Sequence, residues 1–209
     1  MGKCVIVGAA DIKDYARSKN YLREDDFYIF CDAGLKHSEA LGIKPDLIIG
    51  DFDSYPKEEA LKQGAETIVL PCEKDDTDTV FAVKEGMRRG FSDFLLLGVI
   101  GQRLDHTLGN VSILLMLDEA GRRGMIVDDY SEMSLVGQAP AYIDERFSYF
   151  SLLNISGKAE GVTIEGAKYP LKDAVISCDY QYGVSNEVLA GGRAAVSVAD
   201  GRLLLIKAF

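Results

Sequence analysis

The first part of the chain contains short, nearly unbroken apolar runs. They cover residues 3–8, 27–31, 46–50, 66–70 and 94–99. Runs of this length are typical of strands that are buried on both faces. The pattern therefore predicts a parallel sheet with both of its faces covered.

Stretches with apolar residues at helical spacing separate these predicted strands. They comprise Leu35 to Leu41 before Gly42, then Val80, Val83 and Met87 before Gly90, then Leu104, Leu108, Val111 and Leu115 before Gly121. The glycines lie where helices commonly end. With a sixth run at 125–127, strands and helices alternate throughout, which predicts a doubly wound α/β domain over residues 1–130.

The pattern changes near residue 131. The apolar runs of the second part are short, and Gly, Asn, Asp or Pro separates them. They lie at 133–136, 142–143, 149–153, 162–164, 174–177, 194–198 and 203–206. Closely spaced strands without helices indicate an antiparallel sandwich or barrel over residues 131–209. We place the boundary between the domains within residues 128–133.

Composition and charge exclude several classes of function. The 209 residues carry 23 Lys and Arg against 33 Asp and Glu, a net charge of -10, which disfavours nucleic acids and anionic membranes as partners. A phosphate ligand is then expected to arrive with a metal ion. No apolar run is long enough to span a membrane or form a signal segment, so we expect a cytoplasmic protein. The four cysteines lack zinc spacing and are expected to be reduced thiols.

Carboxylates follow successive predicted strands. They are Asp32 after the second strand, Asp51 and Asp53 after the third, Asp75, Asp76 and Asp78 after the fourth, and Asp105 after the fifth. Ligands of open parallel sheets bind at the carboxyl ends of the strands. Clustered carboxylates repel one another unless a cation is present, and oxygen donors without histidine favour Mg²⁺. The alternative is that each Asp is only a turn residue or a helix cap.

Other polar and aromatic residues are candidates for ligand binding. Lys74 and Arg103 are the cations of the same loops, and His106 falls in the first turn of the helix that follows Arg103. Gly34 would let the backbone approach a nucleotide closely. No common glycine-rich phosphate loop is present, so metal and side chains must hold a polyphosphate. Most aromatic residues of the second domain are expected in the cores of strands, and one or two could instead stack on a flat heterocycle. These aromatic residues are Tyr149, Phe150, Tyr169, Tyr180 and Tyr182.

Five segments, in this order and spacing, resemble the thiamine pyrophosphokinase family across nearly the whole chain. They are residues 31–34 (CDAG), 45–54 (PDLIIGDFDS), 73–78 (EKDDTD), 101–108 (GQRLDHTL) and 185–187 (SNE). The resemblance implies an α/β nucleotide domain followed by a β-sandwich. It also implies transfer of a pyrophosphoryl group from ATP to thiamine, with AMP as product, by a homodimer that uses Mg²⁺.

The resemblance also implies roles for individual residues. Metal ligands would be Asp51, Asp53, Asp75 and Asp78, and the catalytic residues Asp51, Asp75, Arg103 and Asp105. Nucleotide binding would involve Asp32, Gly34, Ser54, Lys74, Thr77, Arg103 and His106. Ser185 and Asn186 would belong to the nucleotide or thiamine pocket. We expect them to bind thiamine through hydrogen bonds, together with nearby Tyr182, whose ring could stack on the aminopyrimidine. The residues do not decide whether Asp75 or Asp105 accepts the proton of the alcohol. The family usually has glycine where Ala33 and Gln102 stand.

Two other functions compete with this one. The Asp51-Phe52-Asp53 segment is similar to the nucleophile motif of aspartyl-phosphate phosphatases, although that motif follows the first strand of its fold rather than the third. A metal-dependent nucleotide sensor, with the second domain as an interaction module, is the non-enzymatic alternative. The products formed from ATP and thiamine distinguish the three.

Overall fold

A computed structural model describes residues 2–52, 63–73 and 75–209 of the chain. The chain divides into two compact units, Met1–Asp129 and Tyr130–Phe209. All four cysteines are free thiols. Within the described residues, no helix is long and apolar enough to cross a membrane.

The first unit is built on six parallel strands in the order β6-β5-β1-β2-β3-β4. Their bounds are β1 Cys4–Val7, β2 Phe27–Cys31, β3 Leu47–Gly50, β4 Glu66–Val69, β5 Asp93–Leu97 and β6 Arg123–Val127. The strand order reverses beside β1, because β2 to β4 lie on one side of it and β5 and β6 on the other. A reversal of this kind is where doubly wound proteins bind their ligands.

Helices cover both faces of this sheet. Their bounds are α1 Tyr15–Lys19, a 3-10 helix Asp32–His37 continued by α2 Ser38–Leu41, α3 Asp78–Arg88 and α4 Leu104–Glu119. Val5, Phe30 and Ile48 share one apolar cluster with Leu35 and Leu41 of the helical segment after β2. On the other face, α3 packs so closely that a Cβ on Gly86 would lie 2.8 Å from the Cys4 Sγ. Layers on both faces confirm the predicted doubly wound α/β fold.

The second unit is a β-sandwich of two antiparallel sheets, with the orders β12-β9-β14-β7 and β11-β10-β13-β8. Its strands are β7 Ser131–Val136, β8 Ala141–Asp144, β9 Tyr149–Leu153, β10 Lys158–Glu165, β11 Leu171–Ser177, β12 Gly183–Asn186, β13 Arg193–Ser197 and β14 Leu203–Ala208. Alternate side chains from both sheets form one buried core, among them Phe150, Val162, Ile176 and Leu205. The predicted all-β sandwich is confirmed.

Three details differ from the expectations. Strand β4 lies at the edge of the first sheet, and Val69 is exposed, so this strand is not buried on both faces. The apolar spacing of α4 predicts the wrong inner face, since Leu104 and Leu108 are 66% and 59% exposed. Strand β12 has no apolar run and was not predicted.

The inner face of α4 is offset from the predicted one. It consists of Asn110, Ile113, Leu114 and Leu117. Asn110 is accommodated there because its Nδ2 donates a 2.7 Å hydrogen bond to the Val99 carbonyl. A polar residue therefore occupies a buried position that the apolar pattern assigns to the outside.

Candidate active site

Three carboxylates meet at the carboxyl end of the parallel sheet. Oxygen atoms of Asp32, Asp51 and Asp78 all lie within 4.8 Å of one another. Asp32 directly follows β2, Asp51 directly follows β3, and Asp78 is the first residue of α3. Neighbouring parallel strands and one helix start therefore bring together acidic groups that are distant in sequence.

Local backbone geometry explains how Asp32 and Asp51 come so close. Strands β2 and β3 are paired, with Cys31 opposite Ile49. A Cβ on Gly50 would lie only 2.9 Å from the Cβ of Asp32, so the approach requires glycine at position 50. Asp32 has a φ of 40° and Phe52 a φ of 59°, in a region that residues other than glycine rarely adopt. Such strain is typical of functional sites.

The third carboxylate is positioned by a helix cap. The Thr77 Oγ1 accepts a hydrogen bond from the Val80 amide at 3.3 Å and caps the start of α3. The cap fixes where the first turn begins, and Asp78 belongs to that turn. Thr77, predicted to bind nucleotide, is thus seen in a capping role.

These three residues fit a hard divalent cation. The group is composed of carboxylates, and Mg²⁺ prefers oxygen ligands. Asp32 is buried, which makes mutual repulsion of the negative charges more costly than at an open surface. The donor set is therefore one that a bound cation would stabilise.

The predicted metal ligands are distributed differently from the expectation. Asp51 and Asp78 lie in the three-carboxylate group, together with Asp32, which the sequence assigned to the nucleotide. Asp53, Ser54 and Lys74 lie outside the described residues. Asp75 is not a member of this group, so its role as a metal ligand stays a prediction.

Asp75 instead lines a cavity of about 470 Å³ beyond the end of β4. The cavity is lined by Leu70, Pro71, Asp75, Asp76, Phe81 and Lys84. Lys84 forms a 2.6 Å ion pair with Asp76. Asp75 is exposed on the loop that leads into α3, so solvent and ligands can reach it.

Arg103 and Asp105 form an exposed ion pair at the start of α4. The Arg103 guanidinium donates hydrogen bonds of 2.6 Å and 3.3 Å to the two Asp105 oxygens. The hydrogen bonds from Arg103 lower the pKa of Asp105, and the His106 backbone adds to this effect. The pair holds the guanidinium beside the first turn of a helix, where unpaired amide groups also favour anions. His106 is exposed beside it.

The loop that carries Arg103 is tied to its helix. The Thr107 Oγ1 lies 3.1 Å from both the amide and the carbonyl of Gly101, and Asn110 holds the Val99 carbonyl. These contacts fix the chain before Arg103, so that its position does not depend on the ion pair alone.

The backbones after β1 and β5 pack closely at the strand-order reversal. The Gly8 amide donates to the Leu97 carbonyl at 2.8 Å, and the Ala10 amide donates to the Gly98 carbonyl at 2.8 Å. A Cβ on Gly8 would lie 2.6 Å from the Gly98 oxygen. A Cβ on Gly34 would lie 2.3 Å from the Val7 oxygen, so packing of the protein itself requires glycine here. The close approach of a nucleotide to Gly34 stays a prediction.

His37 joins two of these segments. Its Nε2 donates to the Ala10 carbonyl at 2.9 Å, and its Nδ1 accepts from the Tyr15 hydroxyl at 2.7 Å. Burial lowers the pKa of His37, which favours this neutral form. The ring therefore ties the helical segment that begins at Asp32 to the loop after β1.

The predicted thiamine residues lie in or next to strand β12 of the second unit. Ser185 is exposed and has a φ of 59°, at an irregularity in the pairing of β12 with β9. Asn186 is only 4% exposed, and its amide binds the backbone of Tyr169. The Tyr182 hydroxyl donates a 2.6 Å hydrogen bond to the Val175 carbonyl. Ser185 is thus accessible to a ligand, whereas the polar atoms of Asn186 and Tyr182 contact the protein itself.

Sequence reasoning missed two features of these sites. Asp32 was expected among the carboxylates at the strand ends but was assigned to the nucleotide and not to the metal, although it lies in one group with Asp51 and Asp78. Tyr169 was grouped with strand-core aromatics, yet it is 58% exposed on the connection between β10 and β11. Pro170 directly after it was the available signal, because proline favours a loop.

Comparison with known proteins agrees with both units. Residues 18–126 match the family described as "Thiamin pyrophosphokinase, catalytic domain". Residues 141–203 match that described as "Thiamin pyrophosphokinase, vitamin B1 binding domain".

Individual relatives are similar over almost the full chain. The thiamine pyrophosphokinase of Bacillus subtilis (strain 168) is 28% identical over 192 residues, which cover 90% of this chain and 89% of the relative. A crystal structure of the Bacillus subtilis protein aligns with a TM-score of 0.87 at 26% identity, over 99% of this chain and 98% of that one. A crystal structure of the thiamin pyrophosphokinase from Geobacillus thermodenitrificans aligns with a TM-score of 0.83 at 29% identity, over 99% of this chain and 97% of that one. The chain therefore belongs to the thiamin pyrophosphokinase family of enzymes.

Proposed function

We propose that this enzyme transfers the pyrophosphoryl group of ATP to the hydroxyethyl group of thiamine, giving thiamine diphosphate and AMP, with Mg²⁺ as the metal. The observation that carries the proposal is the group of Asp32, Asp51 and Asp78 at the carboxyl edge of the sheet, in a chain of this family. A net charge of -10 disfavours a free polyanion, so ATP is expected to bind together with the cation.

Asp32, Asp51 and Asp78 would hold the metal. When bound, Mg²⁺ would neutralise charge on the phosphate oxygens of ATP. The protein supplies a preformed arrangement of carboxylates on paired strands and a capped helix, which reduces the reorganisation needed on binding.

Arg103 would bind the phosphate oxygens. Its planar guanidinium suits phosphate geometry, and Asp105 orients it. Because the ion pair lowers the pKa of Asp105, this carboxylate is a weaker base than an ordinary aspartate. In this proposal Asp105 orients Arg103, and Asp75 is the residue that accepts the proton.

The transfer is a displacement at the β-phosphorus. The hydroxyl oxygen of thiamine forms a bond to this phosphorus while the bond to the oxygen bridging the α- and β-phosphorus breaks. The hydroxyl proton passes to the Asp75 carboxylate, and AMP leaves with the bridging oxygen. Positioning of the two reactants supplies most of the acceleration in phosphoryl transfer. In this proposal the three carboxylates and Arg103 position ATP.

We place thiamine on the second unit, around the exposed and strained Ser185, and propose a homodimer as the functional unit. Strands β11 and β12 end their sheets, and an edge strand offers unpaired backbone groups that a partner can cover. Sedimentation at micromolar concentration should give twice the 22.8 kDa mass of the chain. A monomer that still forms thiamine diphosphate would contradict this part of the proposal.

Incubation of the purified protein with ATP, Mg²⁺ and thiamine tests the reaction. Formation of equal amounts of AMP and thiamine diphosphate supports it. Inorganic phosphate without thiamine diphosphate would support the phosphatase alternative, and unchanged ATP would support a nucleotide sensor. An Asp51→Asn variant serves as the control that the products come from this site.

A further inference from the structure

Ala10, in the loop after β1, contacts two segments of the candidate active site. Its carbonyl accepts a 2.9 Å hydrogen bond from the His37 Nε2, and His37 ends the 3-10 helix that begins at Asp32. Its amide donates to the Gly98 carbonyl at 2.8 Å, and Gly98 is the first residue of the arginine loop, residues 98–103. Ala10 therefore joins the helical segment of the carboxylate site to the loop of the phosphate-binding cation.

The loop after β1 and the arginine loop also fit together sterically. A Cβ on Gly101 would lie only 2.9 Å from the Ala10 Cβ, and a Cβ on Gly8 only 2.6 Å from the Gly98 oxygen. The Gly8 amide adds a 2.8 Å hydrogen bond to the Leu97 carbonyl. Because the two loops are packed this closely, a displacement of Ala10 would be transmitted to the arginine loop.

The 3-10 helix is held at its start by packing and at its end by His37. At the start, a Cβ on Gly50 would lie 2.9 Å from the Asp32 Cβ, and a Cβ on Gly34 would lie 2.3 Å from the Val7 oxygen. At the end, His37 is only 2% exposed, and both of its ring nitrogens form hydrogen bonds. The helix is six residues long, which is about two turns, so a shift at His37 would also move Asp32.

The tautomer of His37 is fixed by its two partners. A carbonyl only accepts, so the Nε2 carries the hydrogen that it donates to Ala10, and the Nδ1 accepts from the Tyr15 hydroxyl at 2.7 Å. Tyr15 is the first residue of α1. The start of this helix is held in turn by Asp129, whose Oδ1 accepts from the Lys13 amide at 2.9 Å and the Asp14 amide at 2.8 Å. The hydroxyl therefore approaches the ring from a fixed backbone.

We propose that His37 is a positioning residue that keeps Asp32 and the arginine loop at a fixed separation, through its hydrogen bond to Ala10. This inference rests on the proposed function, in which Asp32 holds the metal and Arg103 binds phosphate oxygens of the same ATP. The two groups must then be correctly spaced for both to bind at once. His37 acts on this spacing and not by contact with the ligands.

The arrangement requires a neutral imidazole. Protonation would put a hydrogen on the Nδ1, where the Tyr15 hydroxyl now donates its own, and would place a charge in a buried site. Burial is the main cause of the lowered pKa of His37. The hydrogen bond to Ala10 opposes it, and of the charged groups that act on the ring Lys36 lowers the pKa and Asp11 raises it. The stabilising contribution of the neutral ring is therefore complete above its ordinary pKa of 6.5 and is lost as the pH falls through the lowered pKa of the folded protein.

Substitutions at position 37 test the positioning role at pH 8. His37→Leu removes both hydrogen bonds and should lower turnover about tenfold. His37→Gln keeps an amide donor for Ala10 and an oxygen for Tyr15, so it should restore turnover to within about threefold of wild type. Ser38→Ala is the matched control, because it removes a 2.7 Å hydrogen bond between the next residue of the same helical segment and the Ile43 carbonyl. It should leave turnover within about twofold. Equal losses of turnover in His37→Leu and Ser38→Ala would overturn the inference.

A pH series gives a readout that a merely structural role would not move. Proton NMR locates the pH at which His37 is protonated, since the chain has only two histidines and the signal missing from His37→Gln belongs to His37. Calorimetric titration with ATP and Mg²⁺ is then carried out above and below that pH. Wild type should bind about tenfold more weakly below it, whereas His37→Gln should change less than about threefold. The variant also corrects for titration of ATP itself. Equal pH dependence of the two proteins would overturn the inference, and this comparison decides even if His37→Leu does not fold.

A double-mutant cycle tests whether the effect reaches the arginine loop. His37→Leu should weaken binding of ATP with Mg²⁺ about tenfold in the wild-type background but less than about threefold in the Arg103→Ala background, where the spacing no longer has a phosphate contact to serve. Fully multiplicative effects would show that His37 does not act on the separation of Asp32 and the arginine loop, and would overturn the inference.

The wild-type reaction separates failure of this inference from failure of the proposed function. If wild type forms no thiamine diphosphate from ATP and thiamine, the proposed function fails, and with it the premise of the inference. If wild type is active and His37→Leu shows normal turnover and normal affinity for ATP with Mg²⁺, only the inference fails.

Discussion

Gly50→Ala is expected to damage the carboxylate site through a single methyl group. The new Cβ would lie 2.9 Å from the Cβ, 3.1 Å from the Cα and 3.3 Å from the amide nitrogen of Asp32. These are atoms close to the backbone, so no flexible side-chain end can move aside. Asp32 already has a positive φ of 40°, which leaves its backbone few other conformations.

The steric overlap between the new Cβ and Asp32 sets the expected loss of stability and turnover. Carbon atoms at van der Waals contact are about 3.5–4.0 Å apart, so Asp32 must move by roughly half an ångström or more. Overpacking of this kind costs about 1–3 kcal/mol of stability. Because misplacement by about 1 Å can lower a rate about 10²-fold, we expect turnover to fall about tenfold and metal affinity to fall with it.

Calorimetric titration with Mg²⁺ and ATP, steady-state turnover and thermal unfolding measure these effects. Gly109→Ala is the matched control, since it adds the same methyl inside α4 with no atom within 4 Å. It should stabilise the protein by about 0.5–1 kcal/mol and leave turnover unchanged. Normal metal affinity and turnover in Gly50→Ala would refute the role given to Asp32, even if stability fell.

Three further predictions concern charge. Asp51→Asn should lower turnover at least about 10²-fold with unchanged circular dichroism, since it removes a charge from the metal site; near-normal turnover would place the metal elsewhere. Calorimetry should detect ATP binding with Mg²⁺ but not in EDTA, and equal affinity in both would contradict the need for a cation. The hydrogen bonds from Arg88 first, and also from Arg89, lower the pKa of Glu85 from 4.5 to about 2, although desolvation by burial opposes them. The contribution of the Glu85 charge to the free energy of unfolding is therefore complete above about pH 4.5 and disappears as the pH falls towards 2. Glu85→Gln should lower the free energy of unfolding by about 1–3 kcal/mol at pH 7 and by almost nothing near pH 2, as measured by urea unfolding.

The apolar runs predicted the sheet of the first unit well, because strands buried on both faces leave a clear pattern. The order of the strands was not contained in that pattern. Strand β4 resembles the others in sequence, but its position at the edge exposes Val69. Burial of such a strand depends on which neighbours the topology provides, and periodicity does not report this.

The inner face of α4 shows a different reason for failure. Leu104 and Leu108 continue the apolar spacing, whereas the buried face includes Asn110. The polar side chain is compatible with burial only because the Val99 carbonyl lies within reach of it. A hydrogen-bond partner supplied by another element cannot be read from local sequence.

The candidate sites also include one feature that the sequence predicts and one that it does not. The acidic ends of β2 and β3 were visible in sequence, because adjacent strand ends must be neighbours. The alignment of Asn186 with Tyr169 was not, since it depends on β12 and on the connection after β10. That strand is short and polar, and propensity alone gives it no distinct signal.

The position of β1 has a consequence for folding. Cys4 of β1 is opposite Phe27 of β2 on one side and opposite Phe94 of β5 on the other. The first pairing closes a short loop, whereas the second must bring together segments much farther apart, at a higher entropic cost. We therefore expect β1 to β4 to assemble early and the docking of β5 on β1 to limit the folding rate. The crevice where the strand order reverses exists only after that step, so a nucleotide that binds there can stabilise the finished domain but cannot accelerate its formation.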